Sequence, residues 1–467
     1  MNQTLAASLL DRINRAFRDV AETARTLRGV SYREDLPDGD IERLQQQIDG
    51  CVEARGGEVT SRARAAELGQ VYLALNAQGR KRFLRLLIER YGIDRARLAN
   101  AIETWRGAAE AKDEGRALAA MRNALESPAM RLLAQFTALP QGVKFLVDLR
   151  ANLLDLVAED ARFGELAEDL RRLLAGWFDV GFLNLERITW RSPAVLLEKL
   201  VDYEAVHEIR SWRDLKNRLD SDRRCFAFFH PRMPDEPLIF VEVALVDGTA
   251  ASIQALLDDK QPTHDPRTAD AAIFYSISNC QKGLAGVSFG NFLIKRVADE
   301  LARELPNLKT FATLSPVPGF RAWLDREIAA DRPDLLTASD RETLSSLIEG
   351  EVTPKAFARL LERKDWRDVP ALREALKTVL TRLCARYLVK EKERGRAIDP
   401  VARFHLANGA RIERINFLGD TSRKGMRQAI GLMVNYRYKL DEVEANHEAY
   451  SEGRVVAHPS VAKQAKG

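Results

Sequence analysis

The sequence is poor in the residues that hold metals. Its 467 residues include four cysteines, Cys51, Cys225, Cys280 and Cys384, which stand far apart and form no CxxC pair. The six histidines show no ligand spacing around them. A structural zinc site is therefore not expected, and a reducing compartment is. No apolar run approaches the roughly 20 residues needed to cross a bilayer, so no membrane association is expected. Long blocks of like charge are also missing. The 72 basic and 68 acidic residues are spread along the chain and leave a formal charge of +4, which gives no footing for a nucleic-acid partner. A small positive excess suits an anionic substrate without identifying one. Neither a P-loop ending in GKS or GKT nor a GxGxxG after a strand is present.

The N-terminus resembles a transit peptide only faintly. Leu9, Ile13 and Phe17 share a helical face, with Arg12, Arg15 and Arg18 elsewhere, but Asp11, Asp19 and Glu22 are acids that such peptides avoid. It reads as a first amphipathic helix. The C-terminal Lys463-Gln-Ala-Lys-Gly467 is no peroxisomal signal, and a cytoplasmic location is expected.

What is present fits a soluble globular chain of two or three domains, with 46% apolar and 30% charged residues. Residues 1–176 read as helical throughout. Val71, Tyr72 and Leu75, then Phe83, Leu86 and Leu87, then Leu166, Leu170, Leu173, Leu174 and Trp177 repeat at helical spacing. Breaks are expected at Gly56-Gly57, Gly79 and Pro140-Gln141-Gly142. This predicts an all-helical N-terminal domain for assembly or bracing.

Residues 177–467 change character. Cys225-Phe-Ala-Phe-Phe, Leu238 to Val246, Ala271 to Ile277 and Thr310 to Leu314 are β-type runs, with a helical pattern from Phe292 to Leu305 between the last two. The fold class is thus α+β, with a mixed second domain. Leu324 to Glu393 reads as a helical insertion in which Ser339-Asp-Arg-Glu342 has capping-box spacing. Phe404-His-Leu-Ala and Ala410 to Phe417 flank Asn408-Gly409, a hairpin signal. The polar tail after Gly453 is expected to be mobile.

Four segments could carry chemistry. After the strand Ile273 to Ile277, three glycines fall in Gln281-Lys-Gly-Leu-Ala-Gly-Val-Ser-Phe-Gly290, and a helix opens at about Asn291. Such a turn lets backbone approach a ligand, and the helix N-terminus favours phosphate. Glycine spacing fits a tight structural connection equally well. Leu314-Ser315-Pro-Val-Pro-Gly319-Phe320 ends the next strand with a hydroxyl on a rigid backbone, a pattern that more often marks an ordinary turn. His405 reads as part of a strand of mainly apolar neighbours, where a core histidine is the commoner case. Tyr436 and Tyr438 share one strand face, which alone signals packing.

Taken in order, Phe274-Tyr-Ser-Ile-Ser, Gly286-Val-Ser-Phe-Gly-Asn-Phe-Leu-Ile-Lys-Arg-Val297, Leu314 to Phe320, Phe404-His-Leu-Ala-Asn-Gly409 and Asn435-Tyr-Arg-Tyr438 closely resemble the malonyl-CoA decarboxylase family. Val180 to Trp190 joins the resemblance, which is weaker in the first third of the chain. It implies a C-terminal catalytic domain related to the GNAT acetyltransferases, and a tetramer. The substrates implied are malonyl-CoA and acetyl-CoA, with no cofactor and no metal.

By motif match, substrate binding falls on Ala285, Gly286, Val287, Ser288, Phe289, Gly290 and Asn291, with Ser276 a polar position nearby. The catalytic serine and histidine fall on Ser315 and His405, and a supporting tyrosine on Tyr438. Animal members carry Glu-Leu where this chain has Ser288-Phe289, so no role of that carboxylate transfers.

The implied reaction suits these residue types. The thioester carbonyl accepts the electrons released with carbon dioxide, which leaves the protein to hold CoA, stabilise an enolate and protonate carbon. An imidazole that titrates near neutrality is a natural proton donor. The family assigns the serine as proton acceptor, a role less obvious when the reacting carboxylate is already ionised. Two other readings of the same motifs are an acyl-CoA-dependent acyltransferase and a non-catalytic CoA sensor.

Overall fold

A computed structural model describes residues 11–20, 32–53, 58–108, 111–287, 289, 293–348, 350–363 and 365–466. The chain divides into two compact units. The first comprises Met1–Asn184, Phe228–Ile239 and Asn279–Phe289, and the second Leu185–Ala227, Phe240–Ser278 and Gly290–Gly467. No helix among the described residues is long and apolar enough to cross a membrane.

The first unit is built from helices, as its hydrophobic period predicts. After a helical stretch at 11–20 come α1 (Asp38–Val52), α2 (Glu58–Ala74), α3 (Ala77–Arg90), α4 (Arg95–Arg106), α5 (Ala111–Leu125), α6 (Pro128–Phe136), α7 (Gly142–Leu156) and α8 (Arg162–Ala175). Phe17, Tyr72, Phe83, Phe136 and Phe145 meet in one aromatic core with ring centroids 4.6–6.0 Å apart. The expected break at Pro140-Gln141-Gly142 is present. Gln141 adopts φ +62°, and a Cβ on Gly142 would stand 1.7 Å from the Phe136 carbonyl oxygen. Gly79 is not a break: it lies in the first turn of α3, where Asn76 caps its N–H and a Cβ would press on the Glu34 carbonyl. Gly56-Gly57 falls outside the described residues.

The second unit is organised by a sheet of β1 (Asn184–Ile188), β2 (Arg223–Phe229), β3 (Pro237–Val246), β4 (Ala271–Asn279), β5 (Thr310–Thr313), β6 (Ser315–Pro316), β9 (Arg411–Asn416) and β10 (Met433–Arg437). A separate hairpin pairs β7 (Lys392–Glu393) with β8 (Arg396–Ala397). The sheet order is β1-β2-β3-β4-β5-β10-β6, with β9 also on β10. Strands β4 and β5 run parallel, while β10 runs antiparallel to β5, β6 and β9. All four predicted β-runs are strands. One face of the sheet packs Ala244, Ile273, Tyr275, Ala312, Leu314 and Met433 into a core. By alternation the opposite face receives Phe274, Ser276, Thr313 and Ser315.

The remaining helices of this unit that position the site are α9 (Ala194–Tyr203), α10 (Trp212–Arg218), α11 (Ile253–Leu256), α12 (Leu293–Glu304), α13 (Phe320–Ala329), α14 (Ala338–Ser345), α15 (Pro354–Glu362), α16 (Pro370–Val389), α17 (Pro400–Ala407), α18 (Arg423–Ala429), α19 (Val443–Ser451) and α20 (Pro459–Lys466). Helices α13 to α16 form the expected insertion. Its capping box sits two residues earlier than the spacing suggested. Thr337 is the N-cap and Asp340 its reciprocal partner, because Thr337 holds the extended backbone that a cap requires.

The expected mobile tail is instead helix α20. Val461 and Ala465 are buried, and the chain before it is tied to β9 by His458 N–H donating to the Ile412 carbonyl at 2.7 Å.

Candidate active site

His405 lies on a helix, not in a strand. Pro400 at the first position and Asp399 as N-cap start α17, with Asp399 Oδ1 accepting the Val401 and Ala402 N–H groups. The helix ends at Asn408-Gly409, so the residues that suggested a hairpin serve as a helix terminus. Gly409 takes φ +81°, and a Cβ there would stand 2.2 Å from the Val443 carbonyl oxygen. This places His405 in the last turn, pointing to the sheet face that carries Thr313 and Ser315.

A continuous chain of hydrogen bonds results. Ser315 Oγ lies 3.0 Å from His405 Nε2 and 2.8 Å from Thr313 Oγ1. On the other side of the ring, Nδ1 lies 2.8 Å from Tyr438 Oη. The Tyr436 ring stacks on the imidazole at 4.6 Å and 24°, and its backbone N–H donates to Thr313 Oγ1 at 3.1 Å. Ser315, His405 and Tyr438 are all buried, and Thr313 is fully so.

Burial decides the electrostatics here. It drives the His405 pKa from its ordinary 6.5 down to about 3, so the ring is neutral near pH 7. It also holds the Tyr436 and Tyr438 phenols well above 10, hence protonated. The expectation of a histidine poised near neutrality therefore fails, because burial disfavours the charged ring. The sequence shows the residue type but not the desolvation.

The serine loop and the histidine helix share a support. Asp399 Oδ2 accepts the Gly319 N–H at 3.3 Å and the Tyr387 hydroxyl at 3.4 Å. Burial raises its pKa, with the N–H groups of Ala402, Gly319 and Val401 pulling it back. A Cβ on Gly319 would stand 2.2 Å from Tyr387 Oη, so a side chain there would push that hydroxyl aside. Asn435 braces the strands beneath, donating to the Thr313 carbonyl at 2.7 Å and accepting from Asn416 at 2.8 Å.

Ser276 is on the same sheet face, but its hydroxyl donates to Glu204 Oε2 at 2.6 Å and lies 3.3 Å from Ser278 Oγ. The β4–β5 ladder ends at Phe274–Thr313, after which Ser315 pairs with Val434 of β10. The two strands thus stop pairing with each other before Ser276 and Ser315.

The glycine turn belongs to the first unit. Lys282–Leu284 is a 3-10 turn, and the Gly283 carbonyl accepts from the buried Arg150 at 2.5 Å. A Cβ on Gly283 would stand 1.7 Å from the Val147 carbonyl oxygen, so this glycine is required by packing. Gly286 takes φ +74° and its carbonyl lies 3.5 Å from Arg171 Nη1. Ala285 N–H and Val287 N–H both close turns on Lys282 and Leu284, and Phe289 meets the Phe178 ring edge at 6.3 Å. Ser288, Gly290 and Asn291 lie outside the described residues. Among the described residues no group of three or more His, Cys, Asp or Glu could hold a metal ion.

Sequence reasoning missed Thr313, Tyr436, Asp399 and Glu204. Thr313 was discoverable as a hydroxyl two residues before Ser315 on a strand. Tyr436 was singled out only as packing. The N-cap pattern Asp399-Pro400 was visible had α17 been read as a helix, whereas nothing in the sequence pointed to Glu204.

Comparison with known proteins gives the arrangement a family. Residues 181–467 match the model of the malonyl-CoA decarboxylase C-terminal domain, and residues 91–178 that of the malonyl-CoA decarboxylase N-terminal domain. The chain is 41% identical over 406 residues to the mitochondrial malonyl-CoA decarboxylase of Anser anser anser, covering 83% of this chain and 80% of that one. For the Rattus norvegicus protein of the same name, identity is 39% over 392 residues, covering 80% and 79%. Among solved structures, malonyl-CoA decarboxylase from Rhodopseudomonas palustris superposes with a TM-score of 0.81 at 44% identity, covering 90% of this chain and 99% of that one. The Agrobacterium vitis structure of the same name gives 0.81 at 43% identity, covering 91% and 99%.

Proposed function

The chain belongs to the malonyl-CoA decarboxylase family and decarboxylates malonyl-CoA to acetyl-CoA and carbon dioxide, and we propose that it does so through a thioester enolate protonated by His405. The observation that carries this mechanism is the buried chain from Thr313 through Ser315 and His405 to Tyr438.

Magnitudes determine how a neutral imidazole can act as an acid. From a pKa of about 3, protonating His405 at pH 7 costs about 5 kcal/mol at 1.36 kcal/mol per pH unit. A substrate carboxylate about 4 Å away returns about 4 kcal/mol at an effective dielectric of about 20. The two nearly cancel. The protonated ring, about 1 kcal/mol above the neutral one, thus becomes an accessible minor state as the malonyl carboxylate arrives, which an uncharged acyl group does not induce. Loss of carbon dioxide moves the negative charge onto the thioester oxygen, so the imidazolium stays paired. It then gives its Nε2 proton to the α-carbon, directly or through Ser315, and returns to the neutral ring. One proton is consumed per turnover, and the balance closes without a redox partner. Tyr438 Oη accepts from the Nδ1–H of the charged ring, and Ser315 orients the other nitrogen.

We further propose that Ala285 to Asn291 binds the CoA diphosphate. Gly286 at φ +74°, which brings the backbone of the turn into a conformation open to a ligand, supports this assignment. A homo-oligomer, tetrameric by family resemblance, and a cytoplasmic location complete the proposal. All four cysteines are free and buried, which favours a reducing compartment. Light scattering and cell fractionation test those two points.

The functional test is incubation with malonyl-CoA alone. Equimolar acetyl-CoA and carbon dioxide are expected. A requirement for an amine acceptor would identify an acyltransferase instead, and binding without product a sensor.

A further inference from the structure

We propose that Thr313 is a positioning residue that sets the direction of the hydrogen-bond chain, so that His405 can hold its second proton; this rests on the reading of His405 as the proton donor. Thr313 Oγ1 has three neighbours. The Tyr436 N–H at 3.1 Å can only donate to it. The Val434 carbonyl at 3.5 Å can only accept. Ser315 Oγ at 2.8 Å can do either.

Each hydroxyl has one proton to give, so the chain has two arrangements. In one, Thr313 donates to Ser315, Ser315 donates to His405 Nε2, and the ring carries its proton on Nδ1. That arrangement uses the Nε2 lone pair and favours the neutral ring. In the other, Nε2–H donates to Ser315, whose own proton must then find an acceptor. Thr313 Oγ1 stands in place to take it and turns its own proton toward Val434. A doubly protonated ring is compatible only with the second arrangement. Remove Oγ1 and Ser315 is left to donate to Nε2, which opposes protonation.

The titratable groups against the ring are Tyr436 of β10 and Tyr438 just beyond its end, while Asp399 caps the start of the ring's own helix. Cys384 and Tyr387 of α16 act on Tyr436 and Asp399. Thr313→Val changes none of these and keeps the side-chain shape.

The experiment is the pH dependence of kcat and KM for malonyl-CoA decarboxylation in Thr313→Val and Thr313→Ser, with thermal melting alongside. Valine is expected to lower kcat about tenfold or more with KM little changed. It should also move the alkaline fall of kcat to lower pH, since the donor must be protonated. Serine restores both. Wild-type kcat and pH profile in the valine variant overturn the inference, as does an equal loss in valine and serine, which would mean packing. If the valine variant does not fold, Thr313→Ala carries the comparison with serine. Ser315→Ala and His405→Asn are run in parallel. Should both retain turnover, the reading of His405 fails; if they are inactive while Thr313→Val is normal, only the Thr313 inference fails.

Discussion

Replacing Tyr438 by phenylalanine removes one oxygen and little else. The ring sits in a fully formed hole, with its edge toward Phe274 at 6.3 Å and its backbone N–H donating to the Phe311 carbonyl at 2.8 Å. Neither contact involves the hydroxyl, so phenylalanine fits the same space. The lost interaction is the 2.8 Å contact between Oη and His405 Nδ1. In the resting enzyme it joins two neutral groups, and its loss costs about 1 kcal/mol of stability. In the proposed mechanism it joins a hydroxyl to an imidazolium, a charge-assisted bond of about 1.5–3 kcal/mol. Only the difference, about 0.5–2 kcal/mol, acts on the barrier, so at 1.36 kcal/mol per decade kcat should fall by about 2- to 30-fold. Because the hydroxyl serves the ring and not the CoA moiety, KM should change less than kcat. Acetyl-CoA formation followed by chromatography over a range of malonyl-CoA concentrations separates the two parameters. A kcat within twofold of wild type, with only a lowered melting temperature, would refute the reasoning and reduce Tyr438 to packing.

Acid stability follows from the same burial. His405 is neutral when folded, with a pKa lowered from 6.5 to about 3, so the unfolded chain binds its proton first. Its contribution is complete above pH 6.5 and is lost as pH falls toward 3. Melting temperature should therefore drop less steeply between pH 6.5 and 4 in His405→Gln than in wild type, and parallel slopes would contradict this. On the far side of the sheet, Glu242 is fully buried against Arg218 at 3.0 Å, and burial raises its pKa to about 7. Glu242→Ala leaves the arginine only Asp214 at 3.1 Å as a charged partner and should cost about 1.5–3 kcal/mol in chemical denaturation; a loss below 1 kcal/mol would show that the pair is dispensable. Gly319→Ala should impair turnover by forcing Tyr387 away from Asp399, and Tyr387→Phe added to it should recover part of the activity. No recovery would place the clash elsewhere.

The sequence was most informative where local periodicity and local chemistry agree. The buried strand runs at Ala271 and Thr310 and the Leu-rich helical faces were legible, because burial of one face imposes its period directly. His405 was misplaced in a strand because eight residues are too few to separate the two periods. Asn408-Gly409 serves a helix end and a hairpin equally well, since both need a residue with φ above zero. The pairing of Ser315 with His405, 90 positions apart, is a tertiary fact. It reached the sequence reading only through the order of the motifs. The depression of the His405 pKa was invisible, because it comes from the stacked Tyr436 ring and the closed sheet face, not from any neighbour in the chain.

Proton transfer by His405 is tested most directly by the turnover of His405→Asn with malonyl-CoA, measured together with malonyl-CoA binding. Asparagine keeps a polar side chain in the site but has no titratable proton to deliver. A loss of about 10²–10⁴-fold in acetyl-CoA formation with binding retained is the predicted result. Turnover within a fewfold of wild type would contradict it, and the α-carbon would then have to take its proton from another group or from water.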